Sequence, residues 1–524
     1  MLDPTTRFIV DLFLLLGGSV IAGELATRLG QPALVGQLLA GVVLGPTLFG
    51  STSYGVDVGL GSLSSMMTSL QLLATIFILF MAGLEVVPEQ LYRMPALTVV
   101  MGVCVFIIPF LVSASVVPLV IHGISATTSL YVALTLSITA LPVMGIMLHE
   151  FGLVGSKMGT LLMNVALINE LTAVTVFAIL YRLGSGSTAG YIGAAIAALS
   201  VALFISIMLT IHMLLRVLRE AHLWEPLQSA FARTWRSKQG NFALLMVMLV
   251  GSTLLSQYLG LTYVAGAFYA GILVTRQNTG EAAHRAISQI FDTMTWGFFV
   301  PLFFAFVGVE MNLRDLLSPI SVLATFGALL AVGIVAKVVV GAGFARLHGW
   351  RDSDALAIGY MVGSRGAVEL AMATILFQSG LINTTIFTLI AAVGLVTTIV
   401  APIGALRSWL SDPKSRAELY ARVPSLSGAT SPSRRLQPPM DWEEMRRLYY
   451  HEPTALPSSN VPANAGPSAS PAATPLSDRP DTGSAPTRAG APAPASAPLP
   501  SVVRPPLPDQ TRRRGPPADR SNDE

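Results

Sequence analysis

Four ionisable side chains lie deep within apolar runs of this chain: Glu170, Lys337, Arg365 and Glu369. An ionisable group inside a bilayer costs at least about 2.5–3.5 kcal/mol on insertion scales, so such groups are functional candidates by default. Glu170 follows Asn169 and has no basic residue within two helical turns. A solitary carboxyl there can stay protonated or hold a cation, and alternation between these states is the chemistry of cation/proton exchange. The structural alternative is a permanently protonated or lysine-paired carboxyl.

The remaining charged residues predict a braced helix break. Lys337 is isolated on its predicted helix, and its role as a tether between helices or as a proton carrier stays open. Arg365 and Glu369 are four residues apart, so they share a face if this segment is helical. Gly363 and Gly366 favour a broken helix instead. An ion pair that braces this break is the favoured interpretation of Arg365.

A second break is predicted in front of Pro142. This proline has no backbone N–H, so it disrupts the preceding turn and frees carbonyl groups near Ser137 and Thr139. Irregular backbone at membrane depth is tolerated only when protein buries it or when it lines a cavity. The two breaks are therefore expected to cross, with oxygen ligands near Asn169 and Glu170 that suit hard cations such as Na+ or K+. A proline kink without ion contact is the alternative.

Other reactive groups give no enzyme site. His122, His149 and His212 are far apart in the sequence, and no metal-ligand cluster or cofactor motif is present. Cys104 is the single cysteine and cannot form an internal disulfide. Acids near the ends of apolar runs are expected to reach the membrane interface along their aliphatic stems; they are Asp11, Glu24, Glu85, Asp292 and Glu310.

The composition excludes a soluble protein. Hydrophobic residues make up 52% of the chain and charged residues 12%, whereas a soluble domain has roughly a quarter charged residues. Residues from about 8 to 410 are nearly all apolar, and residues 424–524 are rich in Pro, Ala, Ser and Arg. The net charge of +3 comes from loop and tail arginines, so it does not indicate nucleic-acid binding.

The apolar region predicts an all-α polytopic membrane protein with about thirteen transmembrane helices. A bilayer core about 30 Å thick needs roughly 20 apolar residues per helix. The predicted spans are 8–29, 33–50, 68–87, 96–121, 126–149, 158–182, 189–216, 240–259, 261–275, 287–311, 318–346, 353–378 and 384–410.

The distribution of Lys and Arg predicts that the N-terminus is outside and the C-terminal tail is cytoplasmic, because basic loops stay inside. The outside segments then hold only Arg7, Arg182 and Arg314. The inside loops hold Arg28, Arg93, Lys157, Arg216, Arg219, Arg233, Arg236, Lys238, Arg276, Arg285, Arg346 and Arg351.

An internal repeat relates the two halves. Residues 83–86, 40–44 and 151–154 recur at 308–311, 270–274 and 379–382, with offsets of 225, 230 and 228 residues. Spans 1–6 then correspond to spans 8–13, and an odd number of spans between them inverts the second repeat. Inverted repeats with discontinuous helices are typical of alternating-access transporters. Chance resemblance between apolar sequences is the alternative.

Several short motifs resemble the cation:proton antiporter superfamily, particularly the bacterial branch of Kef-type potassium efflux systems and Na+/H+ antiporters. The resemblance covers about residues 10–410. The motifs are Leu-Ala-Gly-Val-Val-Leu-Gly-Pro at 39–46, Phe-Met-Ala-Gly-Leu-Glu at 80–85, Gly-Ala-Phe-Tyr-Ala-Gly at 266–271, Pro-Leu-Phe-Phe at 301–304 with Gly308, Ala336-Lys337, and Arg365-Gly366 with Glu369.

The resemblance implies exchange of a monovalent cation for H+ without a cofactor. It also implies a homodimer in a bacterial inner membrane, in which spans 4–6 and 11–13 move against a dimerisation domain. The sequence departs from the family at Glu170, where the family has an aspartate. It also lacks the nucleotide-binding domain of Kef-type systems.

The predicted domain organisation follows from these patterns. A cation/H+ exchanger domain covers 1–411, with repeats 8–182 and 240–410 and a connector helix 189–216. A cytoplasmic juxtamembrane segment covers 412–450, and a disordered Pro/Ala/Ser-rich tail covers 451–524. The alternatives to exchange are a uniporter or leak pathway on the same scaffold and a transport-inactive membrane sensor.

Overall fold

The computed structural model describes residues 3–29, 31–48, 64–86, 94–185, 190–221, 238–274, 281–317 and 320–423, and the secondary structure of this part is helical without strands. The first nine helices are α1 Pro4–Arg28, α2 Ala33–Leu44, α3 Ser65–Leu84, α4 Ala96–Val120, α5 Ala126–Thr135, α6 Leu141–Glu150, α7 Lys157–Ser185, α8 Gly190–Glu220 and α9 Lys238–Tyr258. The others are α10 Tyr263–Leu273, α11 Glu281–Met294, α12 Val300–Glu310, α13 Leu313–Leu317, α14 Ile320–Leu347, α15 Asp352–Met361, α16 Ala367–Gln378, α17 Thr384–Ser411 and α18 Pro413–Arg422.

The predicted all-α membrane fold is confirmed, and each predicted span coincides with helical residues. Within the described ranges, eight helices are long and apolar enough to cross a membrane. Four shorter apolar helices have 10–17 residues, so the count of thirteen crossings stays a prediction. Helix α2 ends at Leu44, before the expected position 50, because Gly45 adopts an extended backbone and Pro46 supplies no N–H.

The two predicted helix breaks divide spans 5 and 12 into half-helices. Helix α5 ends at Thr135 and α6 begins at Leu141, with Pro142 in its first turn, where the missing N–H leaves no helical bond unmade. Helix α15 ends at Met361, and α16 begins after Gly366. The predicted span 287–311 coincides with the helical stretch Ile287–Glu310, in which a π-helical turn at Thr295–Phe299 joins α11 to α12. Pro301 follows this turn and cannot donate the backbone bond that a regular helix needs there.

The helices pack in two groups. Group one contains α1–α3 and α9–α12, where α2 packs against α1 and α12, and α10 packs against α3 and α9. Group two contains α4–α7 and α14–α17, where α4 packs against α7 and α14, and α15 packs against α14 and α17. Contacts between the groups are fewer, and they include α16 with α3 and α12 and α7 with α10. The half-helices therefore all belong to group two.

Paired glycines hold group one together in a way that follows the sequence repeat. A Cβ atom at Gly41 would collide with the backbone of Ala305, and one at Gly308 would collide with the backbone of Leu38, because α2 and α12 cross in direct contact. The equivalent crossing of α3 and α10 brings Gly83 against the backbone of Phe268. In the sequence repeat, α2 corresponds to α10 and α3 corresponds to α12. The crossing of α2 with α12 is therefore the repeat equivalent of the crossing of α10 with α3.

We expect the substitution Gly41→Ala to destabilise the protein by about 1–3 kcal/mol, since the added methyl group has no space against α12. The measurement is thermal unfolding of purified protein in detergent. Gly17→Ala is the matched control, because no atom lies within 4 Å of a Cβ built at Gly17 on α1. Equal melting temperatures for the two variants would contradict this packing.

The fully buried residues of helix α14 form one strip along it. Its buried residues recur every fourth position and are Leu329, Gly333, Lys337, Gly341 and Ala345. The two strip glycines allow close approach: a Cβ at Gly333 would lie 2.9 Å from the Arg365 guanidinium, and one at Gly341 would lie 3.0 Å from the Cα of Gly359. This spacing directs Lys337 into the interior, while the other residues of the helix are half-buried or exposed.

Within the predicted juxtamembrane segment 412–450, the structure describes only residues 412–423. Helix α18 begins there with Asp412 as its N-cap, whose carboxylate accepts the Ser415 backbone N–H at 2.9 Å. This hydrogen bond lowers the pKa of the Asp412 carboxyl from its usual range. The predicted tail at 451–524 lies outside the described residues.

Candidate functional site

The two non-helical segments, 136–140 and 362–366, cross inside group two and are joined by hydrogen bonds. The Ala140 N–H donates to the Ser364 carbonyl at 3.1 Å, and the Thr139 hydroxyl donates to the Val362 carbonyl at 2.6 Å. A Cβ at Gly366 would lie 2.8 Å from the Ala140 Cβ, so a larger residue would push the segments apart. The crossing satisfies backbone groups that two broken helices would otherwise leave unpaired.

Helix α7 places Asn169 and Glu170 against the first break. The Asn169 side-chain carbonyl accepts the Thr139 backbone N–H at 2.8 Å, and its amide donates to the Ser137 carbonyl at 3.4 Å. Glu170 is 1% exposed, and its Oε2 accepts the Leu141 N–H at 3.4 Å. Its Oε1 has no hydrogen-bond partner within the described part of the chain. One carboxylate oxygen is thus held at the start of α6, and the other is available to a ligand.

Lys337 reaches the same break from α14. Its Nζ donates to the Thr139 hydroxyl at 2.7 Å, and Thr139 in turn donates to Val362, so the ammonium is linked to both breaks. No ion pair joins Lys337 to Glu170 among the residues that the structure describes. This geometry favours a free carboxyl at Glu170 over a lysine-paired one.

Arg365 and Glu369 brace the crossing. The Arg365 guanidinium donates to the carbonyl groups of Thr135 and Leu136 at 2.8 and 2.6 Å, which are the carbonyls left unpaired at the end of α5. It also forms an ion pair with Glu369 Oε1 at 2.7 Å, and both side chains are almost completely buried. Thr398 on α17 donates to the Arg365 carbonyl at 2.9 Å. One arginine thus connects both breaks to α16.

The structure brings together all the residues that the sequence singled out, but Ser137 takes part differently. Its hydroxyl donates to the Ala133 carbonyl at 2.7 Å, in the preceding helix α5, and only its backbone carbonyl meets Asn169. Pro142 follows the first break, and Gly363 and Gly366 lie within the second. No group of three or more His, Cys, Asp or Glu residues that could hold a metal ion occurs among the residues that the structure describes.

The expectation that acids near span ends reach the interface was wrong for Asp11 and Glu85, which are 2% and 1% exposed. Sequence reasoning also missed a polar cluster at Glu310. Its Oε2 accepts the amide of Gln71 at 3.0 Å, and Gln378 donates to Gln71 Oε1 at 2.7 Å. Gln71 is uncharged and was overlooked for that reason. A glutamine within an apolar helix is itself a signal, because a polar side chain that becomes buried there needs a hydrogen-bond partner.

Comparison with known proteins adds independent findings. A family profile described as "Sodium/hydrogen exchanger, transmembrane" matches residues 12–407. The Na(+)/H(+) antiporter NhaS4 of Synechocystis is 23% identical over 410 residues, covering 76% of this chain and 97% of that protein. The Na(+)/H(+)-K(+) antiporter GerN of Bacillus cereus is 26% identical over 403 residues, covering 76% and 95%.

The fold has a counterpart among solved structures. The sodium proton antiporter MjNhaP1 from Methanocaldococcus jannaschii, solved at pH 8, aligns with a TM-score of 0.53 at 17% sequence identity. The alignment covers 76% of this chain and 95% of that one. This likeness concerns the arrangement of helices.

Proposed function

The chain belongs to the sodium/hydrogen exchanger transmembrane family, and from this premise we propose that it exchanges Na+ or K+ for H+ by alternating access, with Glu170 as the carboxyl that both ions share. Its relatives are cation/proton antiporters rather than enzymes, and like them it is a multi-pass membrane protein. The proposal concerns two points: the alternating-access mechanism, and Glu170 as the site that the cation and the proton share.

One observation carries the proposal: Glu170 is buried at the crossing of two broken helices, and one of its oxygens has no partner among the residues that the structure describes. A buried ionised carboxylate needs a compensating partner, so an empty site favours the protonated form. A cation supplies the same compensation. Proton and cation therefore compete for one carboxyl, which couples the movement of one to the other.

The surrounding groups fit a dehydrated alkali cation. Carboxylate and carbonyl oxygens are the ligands that such hard ions prefer. Glu170 contributes Oε1, which has no partner among the described residues, and the Asn169 side-chain carbonyl and the Ser137 backbone carbonyl lie at the same helix break. The start of α6 at Leu141 contributes partial positive charge that stabilises the ionised carboxylate when the cation leaves.

Lys337 lies at a different point of the crossing and serves as a tether in this proposal. Its hydrogen bond to Thr139 links α14 to both breaks. A positive charge at this position would also favour the ionised form of Glu170 and weaken the binding of a cation to it. Proton carriage by Lys337 is the alternative role.

The arrangement in the membrane is proposed on the same basis. From the distribution of loop arginines, we propose that the N-terminus is outside and residues 412–524 are in the cytoplasm, in a bacterial inner membrane. Group two carries the site and corresponds to the moving part, whereas group one holds the dimer interface of a homodimer. The exchanger domain is proposed to cover residues 1–411, and the described helices of both groups lie within it.

The proposal is tested by measuring ion exchange in proteoliposomes. We expect addition of at least one of Li+, Na+, K+ or Rb+ to dissipate a preset pH gradient between pH 6 and 9, as reported by a pH-sensitive dye. Absence of a response to all four cations would contradict exchange. Cation flux that persists after the pH gradient is collapsed, without proton counter-movement, would indicate a uniporter or leak pathway instead.

A further inference from the structure

A cluster of three polar side chains, here called the polar clasp, lies away from the Glu170 site. It consists of Gln71, Glu310 and Gln378. Gln71 donates its amide to Glu310 Oε2 at 3.0 Å, and Gln378 donates to Gln71 Oε1 at 2.7 Å and to Glu310 Oε1 at 3.5 Å. Each residue contacts the other two, so the cluster is a closed triangle of hydrogen bonds, two of which involve a carboxylate.

The polar clasp joins the two groups of helices. Gln71 on α3 and Glu310 on α12 belong to group one, whereas Gln378 is the last residue of α16 in group two. At the same end of the molecule, the backbone N–H of Asn312 donates to the hydroxyl of Thr388 on α17 at 3.0 Å, which adds a second link between the groups. Any movement of group two relative to group one at this end must break these bonds.

Helix α16 connects the polar clasp to the ion site. Glu369 lies in its first turn and Gln378 at its last position, so the two are separated by most of a 12-residue helix of about 18 Å. Thr374 lies one turn before Gln378 on the same face. It is 1% exposed, and its hydroxyl has no hydrogen-bond partner in the described ranges. An unpaired buried hydroxyl beneath the polar clasp fits a path that water enters when the groups separate.

The sequence repeat makes this end chemically different from the opposite one. The alignment that pairs residues 83–86 with 308–311 pairs Glu310 with Glu85, and the alignment of 151–154 with 379–382 pairs Gln378 with Glu150. The end with Glu310 therefore has an attractive pair at positions where the opposite end has two acids.

We propose that Gln71, Glu310 and Gln378 form the gate that closes the outer side of the transporter and that must open each time the Glu170 site faces outward. The inference rests on the proposed exchange function, because it assigns a step of that cycle to residues that do not touch the ion. The amide-to-carboxylate bonds favour the closed outer side, and the outward-facing state forms at the expense of these bonds.

The gate is tested by the reactivity of a cysteine placed beneath it. In a Cys104→Ser background, Thr374→Cys is labelled with a membrane-impermeant maleimide in membranes accessible from both sides. We expect Gln378→Glu to increase the labelling rate about tenfold, because it replaces a hydrogen bond to a charged group with repulsion from Glu310. A second experiment applies the maleimide from the outer side alone, and it identifies which face of the membrane the gate closes.

The matched control is Tyr181→Phe. Tyr181 bonds to Ser379, the neighbour of Gln378, at 3.1 Å, but both residues belong to group two. We expect this variant to label at the parental rate. Gln71→Leu removes the buried amide without adding charge and is expected to increase labelling as Gln378→Glu does. Parental labelling rates in both clasp variants would overturn the gate.

The labelling experiment is independent of ion exchange. Labelling that responds to the clasp variants in a protein without cation-driven proton movement would retain the gate and contradict the exchange function. Ion exchange together with unchanged labelling in both clasp variants would retain the exchange function and contradict the gate. The variants are compared only as monodisperse protein with the parental melting profile, so that unfolding does not contribute to the labelling rate.

Discussion

Replacing Glu170 with glutamine is expected to reduce cation-driven proton movement to the level of protein-free liposomes. Glutamine keeps the volume of the side chain and an oxygen that can accept the Leu141 N–H. It cannot release a proton or neutralise a cation, so both ions lose their shared site. The measurement is dye-reported exchange by purified protein at equal reconstitution densities.

Two further variants separate this loss from damage to the fold. Glu170→Asp restores the carboxylate on a stem that is one methylene shorter, and it is expected to recover exchange with an altered order of cation preference. Glu24→Gln removes an exposed acid that is paired with Arg28 at 3.2 Å on α1, and it is expected to leave exchange unchanged. Normal exchange in Glu170→Gln would show that another group carries the proton.

Replacing Arg365 with methionine is expected to destabilise the protein by about 3–5 kcal/mol, because it leaves a buried carboxylate without its partner. The substitution also leaves the carbonyl groups of Thr135 and Leu136 unpaired inside the protein. Methionine is flexible and similar in length to the aliphatic part of arginine, so the loss is chiefly polar. The measurement is thermal unfolding in detergent.

The double variant Arg365→Met with Glu369→Gln provides the decisive comparison. If the unpaired charge dominates the loss, neutralising Glu369 should recover much of the stability, since replacing both members of a buried ion pair costs far less than removing one. If the carbonyl contacts dominate, the double variant should unfold like Arg365→Met. If Arg365→Met alone unfolded at the parental melting temperature, the bracing role of Arg365 would be contradicted.

The sequence could predict the breaks in spans 5 and 12 because their causes are local. Pro142 lacks a donor wherever it occurs, and Gly363 and Gly366 weaken a helix independently of their neighbours. The deep position of Glu170 follows equally from the length of the apolar run around it. That these features meet follows from the repeat, which places equivalent helices in crossing positions.

The sequence could not predict contacts that depend on how distant helices dock. Gln71 and Gln378 are 307 positions apart, and neither carries a charge that would mark it in an apolar run. The contact of Lys337 with Thr139, rather than with an acid, depends on which residues α14 presents to the first break. The burial of Asp11 and Glu85 depends likewise on which helices pack against α1 and α3.

The four-residue spacing of the buried strip on α14 limits how this helix can change in evolution. One inserted or deleted residue turns every following side chain by about 100° around the helix axis. Such a change between Leu329 and Lys337 would direct the ammonium toward lipid and bring bulky residues to positions that now need glycine. Length variation among descendants of this chain should therefore be confined to the ends of α14, beyond Leu329 and Ala345.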